Sequence, residues 1–277
     1  MNKNNVNFKL NTIYQGDAKK VLKSFPDSSV NLILTSPPYA NKRKKAYGGI
    51  PADVYVEWFS DISTELYRVL KLDGSFILNI KEGANGEKEV YVLDLIKKMR
   101  EQKWLWIEEY VWRKTTSMPG WWPNRFRDGW ERCLHFTKSH KFQMHQDRVM
   151  VPIGDWSKTR MRNLSKNDKK RRFSSTGSGL GTNILNWSGR DKVYPDNVLE
   201  FAPVCNNKKH SAAFPEELPT WFIKLFTNKN NVVLDPFIGS GTTAVASIKN
   251  NRNFLGVEKY SKYYKVALEN IKTAKEI

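Results

Sequence analysis

The chain has 277 residues, 40% of them hydrophobic and 13% aromatic, enough apolar matter for one large or two small cored domains and too much for a disordered polypeptide. Its formal net charge of +18 is unusual for an enzyme of small molecules and suits a polyanionic partner, nucleic acid first among them. Two cysteines in unrelated contexts, Cys133 and Cys205, and four scattered histidines predict neither a metal site nor a structural disulfide; the polar start and the lack of any run near the roughly 20 apolar residues of a membrane span predict a soluble, cytoplasmic protein.

In chain order, Thr12 to Gln15 reads as a short strand ending at Gly16-Asp17, and Ala18 to Ser24 as a helix with Val21 and Leu22 inward. Asp17 therefore falls at a strand end, where helix capping and ligand binding can coexist. The apolar run Val30 to Leu34 predicts a buried strand, stopped by Thr35-Ser36-Pro37-Pro38-Tyr39 because proline lacks the N–H that continues a ladder. These five residues lie at a strand's carboxyl end, where open α/β sheets bind ligands. Two readings stand side by side at this point. The pentapeptide is an ordinary loop start, or it is a rigid site in which the Ser36 hydroxyl and Pro37 carbonyl accept hydrogen bonds from one exocyclic amine while Tyr39 offers a face for stacking. The basic run Lys42, Arg43, Lys44 and Lys45, followed by Gly48-Gly49, is either a solvated charge run or a loop that meets phosphates beside that site.

Phe59, Ile62, Leu66 and Val69 recur at helical spacing, which predicts an amphipathic helix over 54–70. A strand over 75–80, a helix over 89–102 and strands over 105–112 and 132–137 come next, and this alternation predicts a three-layer α/β fold with a largely parallel sheet. Between the last two strands, Trp121, Trp122, Arg125, Phe126 and Arg127 fit a loop that touches bases or phosphates, or else aromatics that plug the core edge. Periodicity fades over 139–195, where Arg160, Arg162, Lys169, Lys170, Arg171 and Arg172 cluster. The aromatics Trp156, Phe173, Trp187 and Tyr194 favour an inserted nucleic-acid-reading element over a disordered tract. The expected organisation is therefore 1–138 and 196–277 as two parts of one domain, with 139–195 inserted.

After a strand near Asn197 to Val204, Pro215-Glu216-Glu217 opens a helix carrying Leu218, Phe222 and Leu225 inward. Val232 to Leu234 is a strand, Asp235-Pro236-Phe237-Ile238-Gly239-Ser240-Gly241-Thr242-Thr243 turns into a helix, and Asn253 to Val257 is a second strand ending at Glu258. This βαβ unit has the layout of a nucleoside-cofactor site, in which Glu258 can accept hydrogen bonds from two ribose hydroxyls. The GxGxxG fingerprint is absent, and Asp235 at the head of the turn would oppose a pyrophosphate but suit an ammonium. S-adenosylmethionine therefore matches better than a dinucleotide.

Asp-Pro-Phe-x-Gly-Ser-Gly-Thr-Thr together with Thr-Ser-Pro-Pro-Tyr resembles the amino-methylating DNA methyltransferases, and the motif order resembles their β group, a circular arrangement of the common Rossmann-like methyltransferase fold. The resemblance implies a cofactor site at Asp17, Thr35, Asp235, Phe237, Gly239, Gly241, Thr242 and Glu258, joined by His210 and Ser211. It implies a catalytic loop of Ser36, Pro37, Pro38 and Tyr39, a target recognition region near 139–195, and base flipping in double-stranded DNA before direct methyl transfer. Ser36 at the first motif position is similar to the N4-cytosine enzymes, with N6-adenine as the alternative. A companion restriction endonuclease fits the same resemblance. A DNA-binding protein without catalysis and an RNA or protein amide methyltransferase are the readings from other classes.

Overall fold

The computed structural model describes residues 8–41, 49–85, 87–117, 124–155, 159, 162–163, 165, 190–204 and 214–276. The described residues fall into two compact units, one comprising 1–145 with 197–277 and the other 146–196. In the second unit a two-residue ladder pairs Val151–Pro152 with Lys192–Val193, and Arg162 is exposed.

The first unit is built on an eight-stranded sheet. Its strands are β1 (Thr12–Gln15), β2 (Val30–Thr35), β3 (Leu70–Ile80), β4 (Leu105–Lys114), β5 (Trp130–Thr137), β6 (Val198–Phe201), β7 (Val232–Asp235) and β8 (Asn253–Glu258). They lie in the order β1-β8-β7-β2-β3-β5-β4-β6. All neighbours are parallel except β5, which runs against both β3 and β4. β2 is buried along its whole length, as a central strand covered on both faces must be.

The helices are α1 (Ala18–Val21, continued by a 3₁₀ turn over Leu22–Ser24), α2 (Ala52–Val69), α3 (Tyr91–Glu101), α4 (Glu217–Phe226), α5 (Thr242–Lys249) and α6 (Ser261–Lys275). α2 turns Tyr55, Phe59, Ile62, Leu66 and Val69 inward, the i, i+4, i+7 spacing of one helix face. With α1 and α3 it closes one face of the sheet over Phe76, Leu78, Leu234 and Val257. On the other face α5 and α6 bury Ala244, Ala267 and Ile271 against Ile13 and Phe254, while Phe222 and Phe226 of α4 pack on Tyr110 and His135. Leu255 faces one layer and its neighbour Phe254 the other, the period-two alternation of a strand covered on both sides.

Two differences from the sequence reading matter. β3 begins at Leu70, directly after α2, so Lys71 to Gly74 extend the strand and do not form a separate loop. β5 reverses, which brings its first residues beside the last residues of β3, with Ile80 opposite Arg132 and Asn79 opposite Cys133. The amino end of β5 thereby joins the rim where the parallel strands have their carboxyl ends.

Candidate active site

β7 and β2 are adjacent, yet the chain leaves them in opposite directions, β7 towards β8 and β2 towards β3. Such a reversal opens a crevice at the strands' carboxyl ends. A cavity of about 570 Å³ occupies it, within the range of small-molecule sites. Gly16 and Asp17 after β1, Phe237 to Ser240 after β7 and Glu258 to Tyr260 at the end of β8 line one part. Ser36 to Tyr39 after β2, Asn79 and Lys81 at the end of β3, Lys114 of β4 and Glu131 of β5 line another.

The two sequence motifs are bolted together behind this cavity. The Thr35 hydroxyl donates to Asp235 Oδ1 at 2.6 Å, the Thr243 hydroxyl to Oδ2 at 2.7 Å, and the Phe237 amide to Oδ1 at 3.0 Å. Asp235 is 1% exposed, and burial raises its carboxyl to about 6 against these three hydrogen bonds, which favour the charged form. Thr35 and Asp235 therefore stand behind the wall and not on it. The sequence reading turned the Asp235 carboxylate towards a ligand ammonium; in the structure both its oxygens are engaged by the protein, and Pro236 and Phe237 face the cavity instead.

Glu258 does line the cavity. Its Oε2 accepts from the Gly239 amide at 3.0 Å and its Oε1 from the Tyr260 amide at 2.8 Å, leaving lone pairs on both oxygens. Burial pushes its carboxyl up to about 7. Asp17 caps α1 by accepting from the Lys19 amide at 3.1 Å and pairs with Lys259 at 3.2 Å, while still lining the cavity. Phe237 packs on Trp58 of α2 with ring centroids 5.7 Å apart, which gives the cavity an aromatic wall. Gly239 and Gly241 have φ of 54° and 88°. Gly241 caps α5, and a Cβ there would press on Ala267 of α6 at 3.2 Å, so its place in the turn is set by helix packing, whereas Gly239 and Thr242 reach the cavity.

In the second part of the cavity the Ser36 hydroxyl donates to Tyr39 Oη at 3.3 Å, and the Tyr39 hydroxyl donates to Glu131 Oε2 at 2.7 Å. Asn79 Oδ1 lies 3.3 Å from the same phenol oxygen. Lys114 Nζ binds Glu131 Oε1 at 2.6 Å, and Lys81 pairs with Asp128 at 3.1 Å. Burial and the Glu131 carboxylate hold the Tyr39 phenol well above its ordinary range, so it stays a donor. Tyr39 also packs against the core under α2.

Of the residues singled out by sequence, Ser36, Pro37, Pro38, Tyr39, Asp17, Phe237, Gly239, Thr242 and Glu258 meet in this one cavity. Lys42, Arg43, Lys44, Lys45, Arg160, Lys169, Lys170, Arg171, Arg172, His210 and Ser211 lie outside the described residues. Asn79, Lys81, Lys114 and Glu131 were missed. Each sits in or beside a strand whose hydrophobic pattern was read, and only the position at the strand's rim end could have marked them. Among the described residues no three His, Cys, Asp or Glu side chains group as metal ligands, and no helix is long and apolar enough to cross a membrane.

Comparison with known proteins agrees with this geometry. The chain is 28% identical to the type II methyltransferase M.PvuII of Proteus hauseri, over 91% of this chain and 81% of that one. It is 28% identical to the DNA adenine methyltransferase YhdJ of Escherichia coli, over 95% and 83%. The fold is that of the PvuII DNA methyltransferase (cytosine-N4-specific), with a TM-score of 0.71 at 21% identity over 97% of this chain and 91% of that one. It also matches the putative DNA modification methylase TTHA0409 of Thermus thermophilus complexed with S-adenosyl-L-methionine, with a TM-score of 0.63 at 24% identity over 95% and 93%. The family model described as DNA methylase, N6 and N4, matches residues 30–269, from β2 through most of α6 and so across both motifs of the cavity. The chain belongs to this family, the amino-methylating DNA methyltransferases.

Proposed function

We propose that the chain transfers a methyl group from S-adenosyl-L-methionine to the exocyclic N4 amine of cytosine in duplex DNA. The observation that carries this reading is the single cavity shared by the Ser36 to Tyr39 loop and the Phe237 to Glu258 wall. Its donor set fits the cofactor: a carboxylate with free lone pairs for a ribose, an aromatic wall from Phe237 and Trp58 for a purine, and a glycine turn that lets a ligand approach the backbone. When bound there, the cofactor supplies a methyl group activated by a sulfonium. The chain supplies position. Glu258, Asp17 and Phe237 hold the cofactor, and Tyr39 stacks on the extruded base, which offsets part of the unstacking by roughly 1–3 kcal/mol. The Ser36 hydroxyl oxygen and the Pro37 carbonyl accept the two amine hydrogens and turn the nitrogen lone pair towards the methyl. The methylated nitrogen then gives up one of its two hydrogens as a proton to solvent, and no covalent enzyme intermediate is needed.

Ser36 in the first motif position and the fold similarity to a cytosine-N4-specific enzyme favour cytosine. N6-adenine is the second reading, favoured by the adenine methyltransferase that is 28% identical to this chain. We assign target recognition to the insert over 139–195, with its basic residues Arg160, Arg162, Lys169, Lys170, Arg171 and Arg172, and a restriction endonuclease as companion. Transfer of labelled methyl to duplex DNA tests the function. Tyr39→Ala should abolish most of that transfer while cofactor binding holds, and equal loss of both would contradict the stacking role.

A further inference from the structure

The reading of Ser36 as an acceptor for the amine carries a requirement. A hydroxyl can donate or accept, and an amine presenting its hydrogens needs an oxygen whose own proton points elsewhere. Nothing in the motif itself fixes that direction. The chain of contacts behind it does. Glu131 is ion-paired with Lys114 at 2.6 Å, and a carboxylate in such a pair offers only acceptors. The Tyr39 hydroxyl, 2.7 Å away, must therefore donate to Glu131 Oε2, in preference to Asn79 Oδ1 at 3.3 Å. That leaves Tyr39 Oη as an acceptor, filled by the Ser36 proton at 3.3 Å, and Ser36 Oγ turns its lone pairs into the cavity. Glu131 and Lys114 are 13% and 20% exposed at their side chains, so solvent competes little for these bonds.

We propose that Glu131 is a positioning residue that sets the polarity of the chain Ser36 to Tyr39 to Glu131, with Lys114 as its anchor, so that Ser36 meets the target amine as an acceptor. The proposal rests on the methyl-transfer reading above and assigns Glu131 no contact with the base. It also gives a reason for Tyr over Phe at position 39, since stacking alone needs no hydroxyl.

Glu131→Gln is the discriminating variant. Lys114 claims the amide oxygen, so the amide nitrogen faces Tyr39 and donates to it. The Tyr39 proton then turns to Asn79 Oδ1 or to Ser36 Oγ, each 3.3 Å away, and Ser36 is no longer held as an acceptor for the amine. Single-turnover methyl transfer with saturating cofactor and duplex DNA should fall roughly tenfold or more, because the amine loses its acceptor, while cofactor and DNA affinity and melting temperature stay near wild type. Tyr39→Phe should fall by a similar factor, and the double variant Tyr39→Phe/Glu131→Gln no further, because both changes break one chain. A Glu131→Gln rate equal to wild type, or losses that multiply in the double variant, would overturn the proposal. Absence of transfer in the wild-type protein would instead refute the functional reading itself.

Discussion

Glu258 and Asp235 are the two carboxylates that burial has shifted most clearly, to about 7 and about 6, and the consequences have opposite signs for stability and for binding. Both folded-state values lie above the unfolded ones, so the folded protein holds more protons than the unfolded chain between about pH 4 and 7. These two groups therefore stabilise the fold as pH falls through their folded values and cost stability as pH rises. Thermal melts from pH 8 to 5.5 should show this contribution in the unliganded protein and a flatter profile in Glu258→Gln. Cofactor affinity should move the other way. A ribose needs the carboxylate form, so the dissociation constant should rise as pH drops below 7, and Glu258→Gln should bind more weakly with little of that dependence. Thr35 makes a third case. Thr35→Val keeps the shape but leaves Asp235 Oδ1 with only the Phe237 amide, and should lower the unfolding free energy by about 1–3 kcal/mol in denaturant titration. The Thr35 to Asp235 bond spans 200 positions, which is why a sequence could show both motifs and not that one braces the other.

At the level of elements, the strands and most helices were legible because their signals are local: β2 is a largely apolar run broken only by Asn31 before Thr35, and α2 repeats at helical spacing. The reversal of β5 was not. Strand direction depends on which neighbours pair, and the alternation of buried and exposed positions is the same either way. That reversal is what carries Glu131 to the rim, so the second half of the site was hidden along with it. The helix over Ser261–Lys275 was likewise absent from the sequence reading, though its Tyr263, Ala267, Ile271 and Ala274 form an inward stripe. The cofactor turn yields a prediction of its own. Gly256 in β8 passes directly under Ile238, a residue of the turn that lines the cavity, and a Cβ at 256 would overlap Ile238 Cδ1. Gly256→Ala should displace Ile238 and the turn that carries it, lower stability by overpacking of about 1–3 kcal/mol, and weaken cofactor binding measured by calorimetry.

For the whole molecule, the net charge of +18 belongs to a protein that meets a phosphate backbone, and duplex binding should weaken steeply between about 50 and 200 mM salt by counterion release. A slope near zero in a log–log plot of affinity against salt would remove the electrostatic part of the account. The alternation of strands and helices made the fold class legible in the sequence, and two short specific strings, Thr-Ser-Pro-Pro-Tyr and Asp-Pro-Phe-x-Gly-Ser-Gly-Thr-Thr, carried the methyltransferase reading. The choice of amine is a finer matter, because cytosine and adenine both present a planar amine to the same loop and the cytosine reading leans chiefly on Ser36. The most direct test is to incubate the protein with unmodified duplex DNA and S-adenosyl-L-methionine, digest the product to nucleosides and weigh them. The account predicts N4-methylcytosine; N6-methyladenine as the only methylated nucleoside, or no methylated nucleoside at all, would contradict it.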